Sequence, residues 1–256
     1  MSGAGWVKIV GVGPGPASWT TPEADAVVAG ATDLVGYGPY LDRVETAGQR
    51  RHASDNREEL DRAAHALDMA ADGARVAVIS GGDPGIFAMA AAVLEALEGG
   101  EPGRWDGVGV GVVPGLSALQ AVAARAGAPL GNDFCAISLS DNLKPWALIE
   151  HRLRLAAEAD FAIALYNPIS RARPWQLGAA LELLRAVRAP ATPVVLGTAV
   201  GRGEKERVVT TTLAEAAPEQ ADMSTLLIIG ASTTRRITAP DGSERVYTPR
   251  WHEGLS

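Results

Sequence analysis

The sequence predicts an α/β protein of two α/β domains, the first on a mainly parallel sheet and the second on a mixed sheet. Three observations carry that prediction. Up to residue 113, short β-branched runs alternate with stretches of helical periodicity, an order that implies parallel strands and right-handed crossovers. Pro114-Gly115 then breaks the chain and the pattern restarts. Further on, the apolar runs 193–200 and 207–213 flank the glycine-containing connection 201–203, as an antiparallel pair would. The expected domains are residues 1–115 and 116–256.

Residues 6–10, Trp-Val-Lys-Ile-Val, form the first predicted strand and run into Gly11-Val-Gly-Pro-Gly-Pro16. This loop fails as a dinucleotide fingerprint. Pro16 stands where the third glycine belongs, and Pro14 lacks the backbone N–H that a pyrophosphate needs. The Gly-Lys-Ser/Thr of a P-loop is also missing, so the loop reads as a stiff shelf of bare backbone. A helix starts with Thr21 as cap and Pro22 at its first position, and stops near Gly30. Residues 32–37 are a second strand, opening into a loop, Gly38-Pro-Tyr-Leu-Asp42, whose tyrosines and aspartate make a candidate substrate rim. Residues 56–71 read as an amphipathic helix with Leu60, Ala64, Leu67 and Ala71 inward.

The next stretch organises the rest. Residues 75–79, Arg-Val-Ala-Val-Ile, read as a buried parallel strand, and 86–97 as a helix with Ile86, Met89, Ala90, Val93, Leu94 and Leu97 on its core stripe. Between them lies Ser80-Gly-Gly-Asp-Pro-Gly85. Asp83 as N-cap with Pro84 after it accounts for a helix start. Capping does not account for Gly81, Gly82 and Gly85, which suit a ligand approaching bare backbone at the carboxyl end of a strand. Residues 108–113 form the last strand of this half, and Ser117-Ala-Leu-Gln120 has capping-box spacing before a helix.

The second half begins with strand 134–139 and the polar loop Ser140-Asp-Asn-Leu-Lys-Pro-Trp146, then a helix to about residue 158. Strand 161–165 ends in Tyr166-Asn-Pro-Ile-Ser-Arg-Ala-Arg173, and Pro174 opens a helix with Leu177, Leu181 and Leu184 inward. Strands 193–200, 207–213 and 224–230 complete the mixed sheet, and residues 240–256 read as a polar tail or a partner contact.

Composition narrows the function. A hydrophobic fraction of 47% with 21% charged residues is that of a globular protein, and a formal net charge of -7 argues against a nucleic-acid surface. The single cysteine, Cys135, lies in an apolar run and reads as a small core side chain in a reducing compartment. The four histidines, at 52, 65, 151 and 252, have no metal-ligand spacing, so no protein-bound metal is expected. No signal peptide and no membrane-length apolar run is read, and the expected setting is the cytoplasm. No Ser/His/Asp or Cys/His arrangement stands out. Loops of bare backbone facing polar loops position reactants rather than attack them, which suits group transfer from an activated donor. Arg171, Arg173, Arg235 and Arg236 are the candidate cations for an anionic substrate, because the guanidinium fork matches a carboxylate.

Gly11-Val-Gly-Pro-Gly15, Ser80-Gly-Gly-Asp-Pro-Gly85 and Pro114-Gly-Leu-Ser-Ala118 resemble the tetrapyrrole methylases. Val35-Gly-Tyr-Gly-Pro-Tyr-Leu-Asp42, residues 131–146, Ala164-Leu-Tyr-Asn-Pro168 and Gly230-Ala-Ser-Thr-Thr-Arg235 resemble the branch of that family acting at C-17 of precorrin-3B. The resemblance implies the two-domain tetrapyrrole methylase fold with the active-site cleft between the domains, and S-adenosylmethionine as methyl donor, leaving S-adenosylhomocysteine. Carried over, it implies cofactor contacts at Pro14, Gly81, Gly82, Asp83 and Ile86, at Ser117 and Ala118, and at Tyr166, Asn167, Thr211, Thr225 and Leu226. It further implies methyl transfer with ring contraction in cobalamin synthesis, a tetrapyrrole whose carboxylates meet Arg171, Arg173 and Arg235, and a homodimer. Contraction needs a base for a hydroxyl proton, and Asp42, Asp141, Lys144 and Tyr40 are the candidates. Rival readings are the cobalt-containing substrate cobalt-factor III, methylation at another ring position, and a tetrapyrrole carrier without catalysis.

Overall fold

The computed structural model describes residues 5–55 and 58–251. The chain divides into two compact units, Met1–Ser117 and Ala118–Ser256.

The first unit is a five-stranded parallel sheet. Its strands are β1 (Trp6–Gly11), β2 (Asp33–Tyr37), β3 (Arg50–Ser54), β4 (Arg75–Ser80) and β5 (Gly109–Val113), in the order β3-β2-β4-β1-β5. Helix α1 (Pro22–Gly30) begins as expected, with the Thr21 side chain accepting the Ala24 N–H at 3.1 Å. Alternate residues of the strands face opposite ways. Val7, Ile9, Val76 and Val78 pack with α3 (Glu59–Ala71) and α4 (Met89–Gly99), while Val10, Ala77 and Ile79 pack on Ala24 and Val28 of α1.

Several expectations for this half are corrected. The loop after β2 is a short helix, α2 (Gly38–Leu41), with Leu41 in the core. Strand β3 was not expected: Arg-Arg-His-Ala-Ser has no apolar stripe. It is held by the buried Asp33 at the start of β2, which takes two hydrogen bonds from Arg50, at 2.8 and 2.9 Å, and one from His52 at 2.8 Å. Helix α3 is turned about one residue from the expected face. Ala63, Ala66, Leu67 and Ala70 are buried, while Leu60 is 54% exposed, because alanines give the closest approach to α4 and the sheet. The expected start of this helix at Asn56 lies outside the described residues.

Helix α4 begins at Met89 rather than 86, and Leu94 is 53% exposed while Ala92 and Val93 are buried. Phe87, at φ +52°, breaks the helical path just before it. Asp83 therefore does not cap α4, whose N-cap position is Ala88.

The second unit opens with α5 (Ala118–Ala126), which packs so closely on β9 (Pro193–Thr198) that a Cβ on Gly197 would lie 2.3 Å from Val122. Its main sheet also holds β7 (Phe134–Ser138), β8 (Ala162–Tyr166), β10 (Arg207–Thr212) and β11 (Thr225–Ile229), in the order β10-β9-β11-β8-β7. Only β7 and β8 are parallel; β10–β9, β9–β11 and β11–β8 are antiparallel, the mixed sheet that the sequence predicts. Leu153 of α6 (Trp146–Glu158) and Leu177, Leu181 and Leu184 of α7 (Gln176–Arg185) close the core over Ile163, Leu196 and Leu227.

A small third sheet was not expected. It joins β12 (Arg235–Thr238), β13 (Glu244–Tyr247) and the two-residue β6 (Gly127–Ala128), in the order β12-β13-β6. Residues 244–247 are thus a strand rather than a tail, while 252–256 lie outside the described residues. The pairing escapes sequence reading because these strands are short and polar, so their partners are set by backbone hydrogen bonds across the fold.

Candidate functional site

In the first unit the carboxyl ends of β1, β4 and β5 meet backbone to backbone. Gly13 and Gly82 exchange both N–H···O bonds, at 3.2 and 3.0 Å, and Val12 N–H donates to the Ser80 carbonyl at 3.0 Å. A Cβ on Gly115 would sit 2.4 Å from the Gly82 carbonyl oxygen, and one on Gly11 would sit 2.7 Å from Gly115 N. Glycine is required at both positions because no side chain fits between these strands.

Asp83 ties this junction together. One carboxylate oxygen accepts Gly85 N–H at 2.8 Å and the other accepts Gly115 N–H at 3.1 Å. Its role is to fix the loop that carries Gly81 and Gly82. Arg43, which the sequence reading missed, completes the junction from the β1 side: its Nη2 donates to the carbonyls of Val12, Gly13 and Gly15, at 3.3, 3.0 and 2.7 Å. Its one sequence signal was its position directly after Asp42. Pro14 and Ile86 flank the junction half-buried, and Ser117, at the end of this unit, is 1% exposed.

Tyr40 lies over Gly81, where a Cβ would meet its ring at 2.6 Å, and packs edge-to-face on Tyr37 with centroids 5.5 Å apart. The structure thus brings Tyr40 and the Gly81 loop together. Asp42, two residues on, is engaged by Arg51 at 2.7 Å.

The second unit builds its candidate site at the ends of the parallel pair β7–β8, the place where α/β sheets bind ligands. Asn167, in the left-handed region at φ +51°, donates from Nδ2 to Ser138 Oγ at 2.9 Å, and Ser140 N–H reaches the same oxygen at 3.3 Å. Tyr166 OH accepts Leu119 N–H at 3.1 Å, which fixes the ring beside the start of α5, where Ala118 is the first residue. Arg173 donates to the Asn167 carbonyl at 3.0 Å and pairs with Ser170 through the backbone, while Arg171 is exposed on the same loop. Asp141 accepts from the buried Gln176 amide at 3.0 Å. Burial, together with the charge of Arg152, holds the half-buried Lys144 below the usual lysine range. Burial pushes the Cys135 thiol up, opposite to what a nucleophile needs.

Thr225 and Leu226 sit at the same end of the sheet as Tyr166, since Leu227 pairs with Leu165. Thr225 is buried, its hydroxyl 2.8 Å from that of Thr198. Thr211 is placed elsewhere. It pairs with Val194 while Thr225 pairs with Thr198, about 13 Å apart along β9 at strand rise. Arg235 lies on β12 in the third sheet, and Arg236 beside it is paired with Glu244 at 2.6 Å. Among the described residues no group of three or more His, Cys, Asp or Glu side chains is arranged to hold a metal ion, and no helix is long and apolar enough to cross a membrane.

This architecture, with glycine-built loops at strand ends, accompanies a match of residues 7–217 to the Tetrapyrrole (Corrin/Porphyrin) Methylases. The chain belongs to that family, and it is a methyltransferase. It is 56% identical over 253 residues to the precorrin-3B C(17)-methyltransferase of Sinorhizobium sp, covering 98% of this chain and 99% of that one. It is 40% identical over 230 residues to the probable cobalt-factor III C(17)-methyltransferase of Salmonella typhimurium (strain LT2), covering 89% of this chain and 93% of that one. The crystal structure of the methyltransferase CobJ superposes with a TM-score of 0.90 at 50% identity, over 96% of this chain and all (100%) of that one.

Proposed function

We propose that this protein transfers a methyl group from S-adenosylmethionine to C-17 of precorrin-3B, with ring contraction to precorrin-4, in cobalamin biosynthesis. The observation that carries the reading is the 56% identity to the Sinorhizobium sp relative over essentially the full length of both chains. The donor supplies an electrophilic methyl on a sulfonium. This chain's residues bind and orient the reactants and exclude water. The glycine-built junction around Gly81 and Gly82, braced by Asp83 on the β4 side and by Arg43 on the β1 side, supports a cofactor shelf in the first unit, and Tyr166 and Asn167 support further contacts in the second. Arg171 and Arg173 offer guanidinium forks to the acetate and propionate groups of a tetrapyrrole.

Cobalt-factor III is the second reading, favoured by the 40% identity to the Salmonella typhimurium relative. The metal would then ride on the substrate. Anaerobic incubation with S-adenosylmethionine and each tetrapyrrole in turn, followed by mass spectrometry, tests both. The expected result is a product one methyl heavier from precorrin-3B. Turnover of cobalt-factor III alone replaces the first reading with the second, and binding of both without turnover makes the protein a carrier. The proposal includes a homodimer, checked by sedimentation mass. It also includes a cytoplasmic setting, which the single cysteine supports because it leaves no internal disulfide.

A further inference from the structure

Gln176 is an anomaly in the core of the second unit. Its side chain is 1% exposed at the first turn of α7, and its Oε1 has no hydrogen-bond partner among the described residues. Burying an unpaired amide oxygen costs stability, and an apolar side chain of the same size would avoid that cost. What the amide does instead is donate from Nε2 to Asp141 Oδ2 at 3.0 Å. The donation also fixes which way the amide faces, since the flipped amide would set its oxygen against the carboxylate.

The surroundings hold this pair in register. Asp141 lies on the loop that leaves β7, and Gln176 follows Trp175 at the start of α7. The loop's far end is Trp146, whose ring packs edge-to-face on Trp175 with centroids 4.9 Å apart. The two tryptophans therefore close the loop against α7 and set the reach between Gln176 and Asp141. Among the described residues Gln176 is the partner that Asp141 has, a neutral donor that orients a carboxylate without neutralising it. The other candidate bases differ. Asp42 is engaged by a guanidinium, Lys144 is an amine that burial and the charge of Arg152 hold below the usual lysine range, and the Tyr40 ring is packed over Gly81.

We propose that Gln176 is a positioning residue that aims Asp141 at the substrate, and that Asp141 is the proton acceptor of the reaction. This rests on the methyl-transfer reading above. When a neutral macrocycle is methylated, the carbon–sulfur bond of the donor breaks with its electron pair staying on sulfur. A ring carbon supplies the pair for the new carbon–carbon bond, which leaves a cationic product. That product must lose one proton, in the ring-contracting reaction the hydroxyl proton. Asp141 takes it and passes it to water, with no net oxidation or reduction.

The test compares wild type, Gln176→Met, Asp141→Asn and the double variant, measuring thermal stability, S-adenosylhomocysteine affinity, and kcat and KM with precorrin-3B. Gln176→Met fills the same slot without the unpaired oxygen. It is expected to fold at least as stably as wild type, bind S-adenosylhomocysteine equally and keep KM, yet lose about tenfold or more in kcat. In the Asp141→Asn background the same substitution is expected to change kcat no further. Wild-type kcat in Gln176→Met overturns the positioning role, and a loss of stability together with cofactor affinity makes Gln176 a structural brace. A fall in kcat that persists in the Asp141→Asn background shows that Gln176 acts by another route. If wild type itself fails to turn over, the methyl-transfer reading fails and this proposal falls with it.

Discussion

Asp83 illustrates how a residue's chemistry depends on where its two oxygens point. Both accept backbone N–H groups, from Gly85 and Gly115, so the carboxylate holds the carboxyl ends of β4 and β5 in one junction. Asp83→Ala removes two charge-assisted bonds at a partly exposed site, with an expected loss of about 1–3 kcal/mol in denaturant unfolding. It is expected to weaken S-adenosylhomocysteine binding about tenfold or more in calorimetry. Unchanged affinity in the folded variant would overturn the proposed cofactor role and leave Asp83 with the structural one. The importance of the glycine–aspartate stretch was legible in the sequence, because three glycines exceed what a helix start needs. The capping role was not correct, because Phe87 breaks the helical path and α4 starts only at Met89, leaving Asp83 to bind Gly85 and Gly115, the latter more than thirty residues away. Arg43 and Gln176 were illegible for a related reason: each acts through partners that only the fold brings near.

At the scale of elements, the sequence was readable wherever local preferences and burial agreed. Helix α1 has its Thr21 cap and Pro22 where expected, and the antiparallel β9–β10 pair follows from two close apolar runs. Strands β3, β12 and β13 were unreadable because they carry no apolar alternation. In β3, a buried charge supplies what hydrophobic burial supplies elsewhere. Burial pushes the Asp33 carboxyl up, but hydrogen bonds from Arg50, His52 and Thr32 and the charge of Arg50 outweigh it and hold the group at about 2. A folded-state value below the unfolded one adds stability above the unfolded value, which is lost as pH falls. The window runs from about pH 4 down to about pH 2. Arg50 is largely exposed, so the contribution is about 1–2 kcal/mol after solvent screening. Urea unfolding of wild type and Asp33→Asn should show a stability gap that closes across that window. A gap of constant size at pH 2 and pH 6 would contradict it.

For the whole molecule, a formal charge of -7 means that the anionic substrate proposed above would have to be met by local cations. Arg171 and Arg173 sit on one loop after β8, next to Asn167, rather than on a basic face. The two-unit α/β architecture was legible from the order of runs, and the family from short blocks that lie at strand ends in each unit. The proposed methyl donor was not legible from the residues alone, because glycine-rich strand-end loops accept many ligands. Methyl transfer to C-17 is tested by following the methyl group itself. Wild-type protein is incubated anaerobically with precorrin-3B and S-adenosylmethionine carrying a carbon-13 methyl, and the product is read by carbon NMR. One enriched methyl is expected, attached at C-17 of a contracted ring. Enrichment at any other ring carbon, or an unlabelled tetrapyrrole recovered intact, would contradict it.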